Sequence, residues 1–373
     1  MIFSLKYARI GLITGSSNGR TSPSGGEYLG SSPSPVARQF VLKKVCIMLL
    51  LRHMTTQQLI KKLEQEFDIN AIFAQHVLLY TKGKFDPEKT QELIDEKAKP
   101  FVKWVGGKRQ LLKQFRKLGL YPPEGFDASK NTYFEPFVGG GAVFFDLLPQ
   151  KAMLSDMNKE LVTTYNVIKN NVEELIQSLK KHKHNKEYFL KIRAQKVQNL
   201  SEVEIASRFI FLNRTCFNGM YRVNSSGEFN VPFGDNKNPL ICDEENLRKV
   251  SLALKKVSIK HQDYKAVLQK AKKGDFIYFD PPYYPVSKTA SFTGYTKDAF
   301  LDKEQIELRD TFFELHKRGC FVMLSNSDTP FINKIYSELK DKKITINIVE
   351  AGRAINSKGT GRGKITEVLV TNY

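Results

Sequence analysis

Asp280-Pro281-Pro282-Tyr283 is the stretch of this chain whose residue types are best suited to chemistry. It closes an apolar run, Phe276-Ile277-Tyr278-Phe279, entered through Gly274-Asp275, that reads as a buried strand. A strand ending in a carboxylate, two prolines and an aromatic ring suits the handling of a flat, amino-bearing base. The Asp280 carboxylate and the Pro281 carbonyl can each accept a hydrogen bond from one exocyclic amino group, and Tyr283 offers a face for stacking. The same residues also read as a strand that stops at a Pro-Pro turn, so other parts of the chain must decide.

Three more stretches carry chemistry-bearing residues. Glu135-Pro136-Phe137-Val138-Gly139-Gly140-Gly141-Ala142 follows an apolar strand and opens a helix. Glycines there let backbone approach a ligand closely, and the helix start offers free N–H donors. The stretch has neither the Gly-x-Gly-x-x-Gly of dinucleotide binders nor the Gly-Lys-Ser/Thr of a P-loop, which disfavours a phosphate-bearing cofactor. The next strand ends at Ser155-Asp156-Met157-Asn158. Asp156 there suits both hydroxyls of a ribose, while Asn158 suits the cap of the helix that follows. Upstream, Phe101-Val102-Lys103-Trp104-Val105-Gly106-Gly107-Lys108 holds the only Trp of the chain, and Lys108 at a helix start could hold a carboxylate.

The elements that must position these residues are legible as an alternation. Apolar strands over 133–137, 152–155, 275–279, 320–324 and 344–349 alternate with helical stretches such as 159–169 and 303–317. That pattern predicts an α/β fold built on a mostly parallel, doubly wound sheet. The segment 365–371 alternates apolar and polar residues as a last, edge-adjacent strand would. Residues 167–260 interrupt the alternation with helical, basic, Asn-rich sequence and read as an inserted domain. Residues 54–97 read as a small helical appendage. The first 53 residues are rich in Gly, Ser and Pro without hydrophobic period and are expected to be a disordered leader, either read from a start codon upstream of Met54 or not native to the chain.

Composition narrows the partner. Over 373 residues the formal net charge is +19, which favours a polyanion, and nucleic acid fits better than a membrane. No apolar stretch approaches the roughly 20 residues that span a bilayer. Cys46, Cys216, Cys242 and Cys320 are far apart and make no CxxC pair, so neither a metal site nor a disulfide framework is indicated.

Taken in order, Phe-Val-Lys-Trp-Val-Gly-Gly-Lys, Glu-Pro-Phe-Val-Gly-Gly-Gly, Ser-Asp-Met-Asn and Asp-Pro-Pro-Tyr resemble the Dam-type DNA adenine methyltransferases of the α group. The resemblance covers roughly residues 98–373. Within the insert, Phe211-Leu212-Asn213-Arg214, Phe217-Asn218-Gly219 and Gly227-Glu228-Phe229-Asn230-Val231-Pro232-Phe233-Gly234 resemble the target-reading segment of the GATC-methylating members. The resemblance implies a Rossmann-like class I methyltransferase sheet. Residues 98–166 and 261–373 would form the S-adenosylmethionine-binding catalytic domain, and 167–260 a mostly helical target-recognition domain. It implies cofactor contacts from Trp104, Lys108, Gly139, Gly141, Asp156, Asp263 and Asp280, and catalysis at Asp280, Pro281, Pro282 and Tyr283. Contacts to duplex DNA would come from Phe217 at a flipped-out base, Asn218, Arg222 reading guanine, and Pro232. Asn236 departs from the pattern, since close relatives often carry an aromatic there.

The activity so implied is methyl transfer from S-adenosylmethionine, without metal, to the 6-amino group of adenine. Lys180, Lys181, Lys183, Arg193 and Lys196 are expected to track phosphates. A bacterial cytoplasmic location on the nucleoid would accompany that role, either beside a cognate restriction endonuclease or alone in marking DNA. The competing readings are methylation of adenine in another DNA sequence or in RNA, and a catalytically silent DNA-binding regulator.

Overall fold

The run Phe276-Ile277-Tyr278-Phe279 is buried along its whole length, as a strand covered on both faces must be. Its residues divide by parity between two cores. Phe276 and Tyr278 join Tyr133, Met323 and Leu369 on one face, and Ile277 and Phe279 join Phe134, Val322, Leu324, Val368 and Val370 on the other. Helices cover both faces, so neither is left to water.

The computed structural model describes residues 54–286, 300–352 and 364–373, apart from positions 68, 70–72, 75, 76, 79 and 80. The expected disordered leader, residues 1–53, lies outside them. In chain order the helices and strands are α1 (Thr56–Phe67), α2 (Pro87–Asp95), α3 (Arg109–Lys117), β1 (Tyr133–Glu135), α4 (Ala142–Leu147), β2 (Ala152–Asp156), α5 (Lys159–Asn170), α6 (Val172–Leu179), α7 (Lys186–Arg193), α8 (Glu202–Thr215), α9 (Glu244–Leu254), β3 (Ser258–His261), β4 (Phe276–Phe279), α10 (Asp302–Lys317), β5 (Phe321–Ser327), α11 (Pro330–Ser337), β6 (Thr345–Gly352) and β7 (Lys364–Thr371).

The strands form one seven-stranded sheet in the order β3-β2-β1-β4-β5-β7-β6. The five strands from β3 to β5 are parallel, and β7 runs antiparallel to both its neighbours. This is the expected Rossmann-like α/β sheet, with the last strand inserted beside the edge strand β6. The order reverses between β1 and β4, and in open α/β sheets that reversal is where the loops leaving the two strands are expected to diverge and leave a crevice. The Gly-rich loop leaves β1 there, and Asp280 leaves β4.

Four helices, α6 to α9, occupy the region expected as an insert. Helix α5 continues through position 167 to Asn170, and β3 begins at Ser258. The central helix α8 is started by a capping box between Ser201 and Glu204. It is buried from Ala206 to Asn213 and packs against α5, α6 and α7. Beyond it, residues 216–233 form an extended turn-back held by antiparallel bridges Cys216–Phe233 and Val223–Phe229. At the chain's other end, helices α1 and α2 bear the buried Leu59, Leu63 and Leu93.

Candidate active site

Asp280 stands one residue past the end of β4, where the parallel strands stop and the backbone must turn. Its carboxylate, 23% exposed, is met by the Lys108 ammonium at 2.8 Å. Lys108 itself is almost fully buried, because Gly106 and Gly107 let the chain fold over it before α3 begins; Gly106 adopts φ +77° and its carbonyl accepts a further bond from the ammonium. Burial pushes the Asp280 carboxyl up to about 6, against the lowering by Lys108. Among the described residues no hydrogen-bond donor reaches the second carboxylate oxygen of Asp280 or the Pro281 carbonyl.

The loop that follows is tied down at successive points. Gln305 of α10 donates to the Pro282 carbonyl at 3.0 Å, the Tyr284 amide donates to Asn326 of β5 at 3.0 Å, and the Ser327 hydroxyl donates to the Tyr284 carbonyl at 2.7 Å. Asn326 is oriented in turn by donating to Gln305. The Tyr283 ring receives the Lys108 ammonium 4.8 Å from its centroid, and its hydroxyl donates to Glu367 of β7 at 2.7 Å.

Across the crevice, β1 ends in Glu135. The Tyr133 hydroxyl and the Phe144 amide donate to its Oε2 at 2.9 and 3.1 Å. Burial nevertheless raises its carboxyl to about 8, helped by the nearby Asp280 charge. Burial thus favours the neutral form of Glu135, the form that adds no second negative charge beside Asp280.

The Gly-rich loop packs on Trp104. A Cβ at Gly139, whose φ is +46°, would fall 2.6 Å from the indole nitrogen, so a side chain is excluded on steric as well as backbone grounds. Gly141 has φ +69°, and a Cβ there would meet the Tyr165 hydroxyl at 2.7 Å. Tyr165 donates to the Gly139 carbonyl, and the Gly139 amide donates to Asp156 at 3.0 Å. Asp156, at the end of β2, also accepts from the Asn158 amide, while Asn158 caps α5 through the Leu161 amide. Asp263 lies past β3, exposed, and caps the 3-10 helix Tyr264–Gln269.

Trp104 is also the junction to the turn-back. Its ring stacks on Phe209 of α8 and on Tyr221. Asn213 of α8 donates to the Lys103 carbonyl and accepts from the Lys103 amide, which ties this segment to the helix. At the far side Phe217 is 45% exposed, Asn218 follows in the left-handed region at φ 56°, and the Phe217 amide donates to the carbonyl of the exposed Pro232. Arg222 is exposed and donates to Asn230 at 2.7 Å. Asn236 donates a long bond, 3.4 Å, to the Arg214 carbonyl. Of the basic residues expected to follow phosphates, Lys181 and Lys183 are exposed, Lys180 pairs with Glu244, Lys196 pairs with Glu228, and Arg193 donates to the Val231 carbonyl.

The structure thus gathers Lys108, Asp280, Pro281 and Tyr283 at one end of β4, with Trp104, Gly139, Gly141 and Asp156 at the ends of β1 and β2. Phe217, Asn218, Arg222 and Pro232 share the turn-back. Sequence reading gave no role to Glu135, Gln305, Asn326, Ser327 or Glu367. Glu135 left a signal, a carboxylate closing an apolar strand; the others are single polar letters whose partners depend on the sheet order.

A family model described as D12 class N6 adenine-specific DNA methyltransferase matches residues 104–355. The type II methyltransferase M1.LlaDCHI of Lactococcus lactis subsp. cremoris is 46% identical over 283 residues, covering 74% of this chain and 95% of the relative. The type II methyltransferase M.MjaIII of Methanocaldococcus jannaschii is 44% identical over 294 residues, covering 74% and 99%. The DNA adenine methylase of Escherichia coli strain K12 is 31% identical over 278 residues, covering 74% and 95%.

Proposed function

Because the chain belongs to the D12 class of N6 adenine-specific DNA methyltransferases, we propose that it methylates the adenine of GATC in duplex DNA, using S-adenosylmethionine, after turning that base out of the stack. The observation that carries the reading is Asp280, held by buried Lys108 at the mouth of the crevice with one carboxylate oxygen and the Pro281 carbonyl left as acceptors among the described residues.

The residues present fit the cofactor. Gly139 and Gly141 leave bare backbone where a Cβ would strike Trp104 or Tyr165, and the Asp156 carboxylate suits ribose hydroxyls. Lys108 and Trp104 would hold its amino-acid end and Asp263 its adenine, as the resemblance implies. When bound, S-adenosylmethionine supplies a methyl group activated on a sulfonium.

The chain's own part is positioning. Adenine's amino nitrogen is a poor nucleophile because its lone pair is delocalised into the ring, and unstacking the base costs a few kcal/mol. Asp280 and the Pro281 carbonyl each accept a hydrogen bond from the amino group and draw the nitrogen toward tetrahedral geometry, which localises the lone pair. The surplus proton then leaves by way of Asp280, whose carboxyl is raised to about 6 by burial. Tyr283 stacks on the extruded ring. Phe217 fills the gap in the duplex, Arg222 reads guanine by a bidentate contact, and Asn218 and Pro232 touch neighbouring bases. GATC rests on the resemblance of this turn-back to the GATC-methylating members. The type II names of two relatives favour a cognate restriction endonuclease acting on the same site; a bacterial cytoplasm is the setting the resemblance implies.

Transfer of labelled methyl to short duplexes tests the reading. A GATC duplex should be labelled and one whose site is changed to GGCC should not. Asp280→Ala should lose about a hundredfold or more in rate while still binding DNA. Equal labelling of both duplexes, or an active Asp280→Ala, would reject it.

A further inference from the structure

We propose that Glu367 is a positioning residue for the methyl transfer: its carboxylate holds the Tyr283 hydroxyl and so fixes the ring on which the extruded base lies. Glu367 lies beyond residues 104–355, the range of the family match. The proposal rests on the adenine-methylation reading above.

Topology brings Glu367 to the site. Because β7 runs antiparallel to β5, its beginning lies level with the end of β5, and Glu367 pairs in register with Ser327. That is the edge of the sheet at which Asp280 leaves β4. Glu367 is 9% exposed, and the Tyr283 hydroxyl reaches its Oε2 at 2.7 Å, a length typical of a hydroxyl bonded to a carboxylate. The same ring lies 4.8 Å from the Lys108 ammonium, which is itself bonded to Asp280. A chain of contacts therefore runs from Glu367 through Tyr283 and Lys108 to the carboxylate that grips the amino group.

The backbone of the loop does not depend on Glu367. Gln305 holds the Pro282 carbonyl, and Asn326 and Ser327 hold the amide and carbonyl of Tyr284. What Glu367 adds is the orientation of one side chain. Without it the Tyr283 ring regains rotamer freedom, and freezing that freedom again at each turnover slows the reaction. A glutamic acid that only satisfied a buried hydroxyl would show no such effect on rate.

Single-turnover transfer of labelled methyl to a GATC duplex, with cofactor and DNA affinities measured alongside, tests this. Glu367→Leu should slow the step about tenfold while both affinities stay within about twofold. Glu367→Gln keeps a carbonyl acceptor and should restore most of the rate, which also guards against a leucine variant that fails to fold. In a Tyr283→Phe background no hydroxyl remains to hold, so Glu367→Leu should cost little more. The proposal is overturned by a Glu367→Leu variant as fast as the parent, by an equal cost in the Tyr283→Phe background, or by a Glu367→Gln variant as slow as the leucine one. A parent chain that leaves the duplex unlabelled overturns the adenine reading and this proposal together.

Discussion

Asp280 and Lys108 meet at 2.8 Å, and the proposed reaction would take its pH behaviour from that pair. Burial raises the Asp280 carboxyl from 3.8 to about 6, and the Lys108 ammonium opposes that rise. Accepting an amino proton requires the carboxylate, so the rate should fall as pH drops through about 6. Removing the opposing charge in Lys108→Met should move that acid limb to higher pH; an unmoved limb would show that the pair does not govern it. The stability linkage has the opposite sense. A carboxyl raised by folding favours the fold below 3.8 and loses that contribution as pH climbs to about 6. At this scale the sequence was informative where a reactive residue ends an apolar run, as Asp280, Asp156 and Glu135 do. It was silent on Glu367 and Asn326, whose partners are distant in the chain and are chosen by strand order.

Helix α8 is the element that joins the turn-back to the crevice. It is buried nearly all round, and its Arg208 pairs with Glu160 of α5 at 2.9 Å while donating to the carbonyls of Ile192 and Arg193. Glu160 also accepts from Tyr221, which stacks on Trp104. Breaking a buried pair strands the remaining charge, so Arg208→Ala should cost about 3–5 kcal/mol, measured by urea unfolding. A loss below about 1 kcal/mol would mean that water reaches Glu160 in the variant. The strands were legible wherever a run is covered on both faces, as in β4 and β5. Strand β3 was not, because only Ile259 of its four residues is buried and the rest read as polar edge. Helix α5 runs past position 167 because Val167 and Ile168 continue its buried face, so no change in composition marks where it ends.

For the molecule as a whole, the order β3-β2-β1-β4-β5-β7-β6 explains why motifs scattered over almost 200 residues meet. Three of them, at Gly139, Asp156 and Asp280, lie at the ends of β1, β2 and β4, which are adjacent, and the fourth, around Trp104, packs on the Gly-rich loop. The helical segment between β2 and β3 brings Tyr221 and Phe209 onto the same Trp104. The net charge of +19 suits a polyanionic substrate, and it predicts affinity for DNA that weakens steeply with salt. This arrangement is proposed to methylate adenine in GATC. Plasmid DNA from cells lacking other adenine methylation, expressing this chain, should resist an endonuclease that cuts GATC only when its adenine is unmethylated, and should be cut when Asp280→Ala is expressed instead. Complete digestion of the plasmid made with the parent chain would contradict the account.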